Sequence, residues 1–126
     1  MKPMQYRHLG RSGLEVSEVC LGTMTFGDRT DEAEARRIVD AAHDAGVNFI
    51  DTADTYVKGA SERIVGAAIK ANRRDWVLAS KAGNLVTGAR HEGGLSRRWL
   101  HQACQQIQLV FPQPYNPSIW FAHCYW

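Results

Sequence analysis

Asp51, Tyr56 and Lys81 are the residues in this sequence whose types and spacing are best suited to chemistry. A free tyrosine has a pKa near 10 and is a poor proton donor at neutral pH. A neighbouring ammonium stabilises the phenolate and eases proton transfer, and a carboxylate paired with that ammonium holds it in place. Such a group can protonate a carbonyl oxygen while something else delivers hydride. Taken singly, each residue has a structural reading. An aspartate at a strand end often caps a helix, a lysine there is often a solvated end, and Tyr56 could cover the apolar edge of the following helix. Their joint placement is what favours chemistry.

That placement follows from the elements around them. Residues 5–17 read as a hairpin, with Gln5–Leu9 and Leu14–Ser17 flanking the turn cluster Gly10-Arg-Ser-Gly13. Val19-Cys-Leu21 forms a short apolar strand ending at Gly22. A helix follows, capped by Thr30, with Asp31 and Glu32 at its positive end and Gly46 able to end it in a left-handed conformation. Ala35, Ile38, Val39, Ala42 and Ala45 recur at three- and four-residue spacing and give it one buried face. Val47-Asn-Phe-Ile50 then reads as a buried strand ending at Asp51.

The pattern repeats. Ser61 is placed to cap a helix carrying Ile64, Val65, Ala68 and Ile69. After a loop from Ala71 to Asp75, the strand Trp76-Val-Leu-Ala79 ends at Ser80 and Lys81. A glycine-rich loop over residues 82–95 leads to a third helix, capped by Ser96, with Trp99, Leu100 and Ala103 on one side. Strands begin near Val19, Val47 and Trp76, about 28 residues apart. Alternation at that period predicts parallel strands with crossover helices.

A doubly wound sheet and a (β/α)8 barrel both satisfy it. The first loop, Gly22-Thr-Met-Thr-Phe-Gly27, is not the GxGxxG of a dinucleotide-binding sheet. Polar residues gather instead at the ends of successive strands, at Gly22 and Thr23, then Asp51, then Lys81. A barrel keeps its active site there. The α/β class is therefore read as an incomplete barrel: the hairpin plus about three βα units.

Composition narrows the function. A formal charge of +2 over 126 residues, without a basic patch, gives no argument for nucleic acid or a membrane as partner. Cys20, Cys104 and Cys124 lack the spacing of a zinc site or a disulfide framework. No signal peptide or spanning segment is read from the sequence, so cytoplasmic placement is the expectation.

Six stretches resemble the aldo-keto reductase family in family order. They are Tyr6-Arg-His-Leu-Gly-Arg-Ser-Gly-Leu14, Leu21-Gly-Thr-Met-Thr-Phe-Gly27, Asn48-Phe-Ile-Asp-Thr-Ala-Asp-Thr-Tyr56, Gly59-Ala-Ser-Glu62, Ala79-Ser-Lys-Ala-Gly83 and Gly94-Leu-Ser-Arg97. The flavour is that of the bacterial and potassium-channel β-subunit branch. The resemblance implies NADP(H) bound without a Rossmann motif and reversible reduction of aldehydes or ketones to alcohols. It makes Tyr56 the general acid, Lys81 its tuning group and Asp51 the partner of Lys81. Gly22, Thr23 and Met24, with Asp51, match residues lining the nicotinamide pocket. A regulatory, non-enzymatic module like a channel β subunit is the alternative.

The resemblance covers residues 5 to about 104. Every Asp, Glu, Lys and Arg lies at or before Arg98, and residues 107–126 hold half of the aromatics and three of the four prolines. The family's next strand, of the type Asp-Tyr-Ile-Asp-Leu, has no counterpart in Gln105-Gln-Ile-Gln-Leu109 and the proline-rich run after it. We expect residues 1–106 to be family barrel and 107–126 to be an atypical tail of a truncated, inactive form. Ile119-Trp-Phe-Ala122 can form a strand, which would put His123 roughly where the family's substrate-orienting histidine belongs. Open barrel edges would favour self-association.

Overall fold

The computed structural model describes residues 3–110 and 119–121, with the side chains of 108, 109 and 119–121 excepted. His123 and Cys124 lie outside the described residues. The chain opens with an antiparallel hairpin, β1 (Tyr6–His8) and β2 (Glu15–Ser17). It continues as β3 (Leu21–Gly22), α1 (Glu32–Asp44), β4 (Phe49–Asp51), α2 (Ala60–Ile69), β5 (Val77–Ser80), α3 (Arg97–Val110) and β6 (Ile119–Phe121). Strands β3 to β6 form one parallel sheet in sequential order. A doubly wound sheet reverses its strand order, whereas a barrel adds each strand beside the last. The architecture is the partial (β/α)8 barrel expected from the sequence, with Ile119–Phe121 paired to β5.

Helix α1 forms for the expected reasons, with one change at its start. Asp31, not Thr30, is the N-cap, its carboxylate accepting the Glu34 N–H at 2.8 Å. Asp and Thr can both cap; Thr30 is already occupied, its hydroxyl 3.0 Å from that of Thr25 in the preceding loop. At the other end Gly46 has φ +87°, and its N–H reaches His43 O while the Val47 N–H reaches Ala42 O. These two bonds satisfy carbonyls that would otherwise be left at the helix end.

Ala35 and Val39 of α1 and Val65, Ala68 and Ile69 of α2 pack on the sheet around Ile50, Leu78 and Trp76. Ile50 and Leu78 are fully buried neighbours in register, each worth about 2–3 kcal/mol of hydrophobic stabilisation. Ile107 of α3 joins the same core, and Trp99 and Ala103 form a second cluster with Ala82. Because side chains alternate along a strand, burying Ile50 against the helices turns Asp51 to the opposite face.

The hairpin braces the other end of the sheet. Asn48, just before β4, accepts the Ser17 N–H at 2.7 Å and donates to Glu15 O at 3.0 Å. Strands β3, β4 and β5 each begin a residue or two later than expected, and residues 70–75 form a 3-10 turn rather than an open loop. A larger difference concerns Ser61. Helix α2 starts at Ala60 with Gly59 (φ +83°) as its N-cap, and Ser61 caps nothing. Its hydroxyl is directed elsewhere, as described below.

Candidate active site

Parallel pairing of β4 with β5 puts Asp51 opposite Ala79, so that Lys81 emerges just past the end of β5. The Lys81 ammonium donates to both Asp51 carboxylate oxygens at 2.6 Å and to Thr52 O at 2.7 Å. An ammonium has three protons, and all three are used. The ammonium lies 5.0 Å from the centre of the Tyr56 ring. Burial alone would lower the Lys81 pKa, but the bond and charge of Asp51, together with Tyr56, outweigh it and hold the pKa above the usual lysine value. Lysine is thus kept charged beside the tyrosine.

Tyr56 begins a 3-10 turn, Tyr56–Gly59, in which Val57 (φ +48°) and Lys58 (φ +52°) are both left-handed. This is an uncommon conformation for a β-branched residue, and it turns the chain sharply from Tyr56 into α2. Tyr56 and Lys81 line a cavity of about 120 Å³, together with Asp54 and Asn84. The three residues singled out in the sequence are therefore brought together.

The loop after β3 divides into two roles. Gly22 is exposed, with open space where a Cβ would stand, and Met24 is 61% exposed. Thr23 is fully buried, and its N–H and hydroxyl both donate to Asp51 O, at 3.1 and 3.0 Å. Gly22 pairs with Asp51 across β3 and β4, so the open space at Gly22 adjoins the residue that holds Lys81. Thr23 instead fixes the backbone of Asp51.

Several residues here have roles that differ from their reading in the sequence or were not singled out there. Ser61, Thr52 and Thr23 form a buried hydroxyl cluster, and Glu62 accepts the Ser80 hydroxyl at 2.6 Å. Burial raises the Glu62 pKa, with the Ser80 bond opposing and the Asp54 charge adding to it. Asp54, 7% exposed, has a pKa pushed up to about 6 by burial, against a lowering influence from Thr55 and the nearby Trp99 indole. Asp54 Oδ2 and Trp99 Nε1 both lack a partner at full hydrogen-bond geometry. Asp54 also lines a second cavity of about 360 Å³ between α2 and α3. Polar residues with buried, non-periodic roles of this kind look like loop residues in sequence.

His8, His43, His91 and His101 line neither of these cavities. Among the described residues no group of acidic, histidine and cysteine side chains could hold a metal ion. Nor is any helix among them long and apolar enough to cross a membrane.

Comparison with known proteins gives a consistent result. The model of the Aldo/keto reductase family matches residues 18–111. The uncharacterized oxidoreductase YqkF of Bacillus subtilis (strain 168) is 49% identical over 81 residues, covering 64% of this chain and 26% of that protein. A probable voltage-gated potassium channel subunit beta of Oryza sativa subsp. japonica is 43% identical over 101 residues, covering 75% and 30%. Among solved structures, the aldo-keto reductase AKR11C1 from Bacillus halodurans, in its holo form, superposes with a TM-score of 0.78 at 38% identity. That match covers 89% of this chain and 38% of the other. The chain thus spans between a quarter and a third of the length of these two curated relatives.

Proposed function

The chain belongs to the aldo/keto reductase family, and from that premise we propose that it carries the proton-transfer half of an NADP(H)-dependent carbonyl reductase site. The observation that carries this reading is the Lys81 ammonium, clamped by Asp51 and 5.0 Å from the Tyr56 ring, at the C-terminal ends of adjacent parallel strands. The cofactor, when bound, supplies hydride to the carbonyl carbon. Tyr56 Oη gives its proton to the carbonyl oxygen, and the product is an alcohol. The phenolate left on Tyr56 is stabilised by the Lys81 ammonium, whose charge and position Asp51 maintains. Gly22 and Met24 offer the open surface for the nicotinamide ring.

NADP(H) as the cofactor and aldehydes or ketones as the substrate class come with the family reading. His123 is proposed for the carbonyl-orienting role because it follows β6, the strand beside β5. Cytoplasmic placement is part of the same reading, with Cys20 and Cys104 both free. The 126 residues alone are proposed to be inactive, since they span so small a share of their relatives. Self-association is proposed to use the outer edges of β3 and β6, the end strands of the sheet among the described residues.

The test grafts residues 18–104 of this chain onto the rest of the Bacillus subtilis oxidoreductase barrel and follows NADPH oxidation with a panel of aldehydes. Turnover by the graft and none by the 126-residue chain supports the reading; no turnover by a folded graft sinks it. A second reading, a non-enzymatic binding module, draws on the matches to plant channel β subunits at 43% and 44% identity. It requires a channel-type partner that survives Tyr56→Phe in a pull-down.

A further inference from the structure

Ser61 lies in the first turn of α2 and is fully buried, as are Thr23 and Thr52. Its hydroxyl is 2.7 Å from Thr23 O, 2.9 Å from Thr23 Oγ1 and 3.1 Å from Thr52 Oγ1. One assignment of protons satisfies every hydroxyl. Ser61 donates to Thr23 O, Thr52 donates to Ser61 Oγ, and Thr23 donates to Asp51 O. Each donates once.

The atoms this cluster fixes stand next to the charged pair. Asp51 O is held by both the N–H and the hydroxyl of Thr23. Thr52 O takes the third proton of the Lys81 ammonium. Ser61 reaches both threonines, and so joins the end of β3 to the end of β4 from behind. An apolar contact could anchor α2 there, but it could not fix the rotation of the Asp51 and Thr52 peptides. Hydrogen bonds in a buried setting are directional, and removing one partner orphans the other.

We infer that Ser61 is a positioning residue, which sets the Asp51–Lys81 pair by holding Thr23 and Thr52 in one arrangement. The consequence for catalysis rests on the proton-transfer reading above; the positioning itself does not.

The test is ¹⁵N NMR of lysine ammonium groups in the full 126-residue chain. Wild type is predicted to show one protected ammonium signal, assigned to Lys81 by its loss in Lys81→Met. In Ser61→Ala, with the amide spectrum retained, that ammonium should exchange with solvent about two- to tenfold faster, the range expected when the bond to Thr52 O that holds its third proton is weakened. Unchanged exchange in a folded Ser61→Ala overturns the inference, as does a wild type with no protected lysine. If Ser61→Ala fails to fold, Thr52→Val removes the Thr52 hydroxyl that bonds Ser61, at nearly constant shape, and is judged by the same criterion. Loss of the fold in both variants makes the cluster structural only and overturns positioning. Tyr56→Phe in the grafted barrel separates the two claims. Full activity there sinks the proton-transfer reading while leaving a perturbed Lys81 in Ser61→Ala to stand.

Discussion

Lys81 and Asp51 sit 30 positions apart in sequence, yet the lysine ammonium is 2.6 Å from both oxygens of the aspartate. The contact exists because β4 and β5 are parallel neighbours in a fixed register. A register slip of one residue would turn Asp51 into the helix-side core and bury Ile50's position with a charge. The apolar pairing of Ile50 with Leu78 therefore also sets Asp51 opposite Ala79, within reach of Lys81 two residues beyond. Packing and chemistry are set by the same alignment.

Lys81→Met should destabilise the chain by about 1–3 kcal/mol, because the Asp51 carboxylate loses its counter-charge and Thr52 O its donor. The pKa of Lys81 is raised in the folded state, so its contribution is complete below the usual lysine value near 10.4 and is lost as pH rises through the folded value. Urea unfolding should show the same loss at pH 6 and pH 8. A difference between variant and wild type that shrinks already at neutral pH would be inconsistent with a raised Lys81 pKa.

Val57→Gly should stabilise the fold by about 0.5–1 kcal/mol. Val57 holds φ at +48°, where a β-branched side chain is strained and glycine is not. Some of the gain is offset by greater freedom of the unfolded glycine chain. Thermal unfolding checks this, and a lower midpoint for the variant would show that the valine side chain contributes more than its backbone costs.

Asp54 gives a pH dependence of the opposite sense to a carboxylate whose pKa is lowered by an ion pair. Its folded pKa is raised to about 6 from 3.8, so the folded state holds a proton that the unfolded chain releases. Stability from this group is complete below the unfolded value and falls as pH rises through about 6. The loss should be on the order of 1–2 kcal/mol once partial solvent screening is allowed for. Asp54→Asn should remove it, flattening the urea midpoint between pH 4 and pH 7 relative to wild type. Equal slopes would contradict a buried Asp54 carboxyl.

Much of this was legible in the sequence, for physical reasons. Helix α1 announces itself through Ala35, Val39 and Gly46, and the strand ends through Asp51 and Lys81, because apolar periodicity and chain-ending residues act locally. Ser61 was misread because serine before an apolar helical run is usually a cap, and only the neighbouring Thr23 and Thr52 redirect its hydroxyl. Thr30 and Asp31 are both capping types, so the local signal could not choose between them. Asp54 looks like any loop aspartate until Trp99, 45 residues later, comes to lie beside it. Nothing in the local sequence foretells the left-handed pair Val57 and Lys58, since neither residue type favours it.

The central claim is that Tyr56 is the proton donor of a carbonyl-reducing site built on the Asp51–Lys81 pair. The most direct measurement compares Tyr56→Phe with the parent residue in the grafted barrel, following aldehyde reduction by NADPH. Losing a general acid costs about 10²- to 10⁴-fold. The account predicts a fall of that size in kcat, with KM and NADPH binding little changed. A kcat within a few-fold of the parent would contradict it, and Tyr56 would then be a structural residue beside an ion pair.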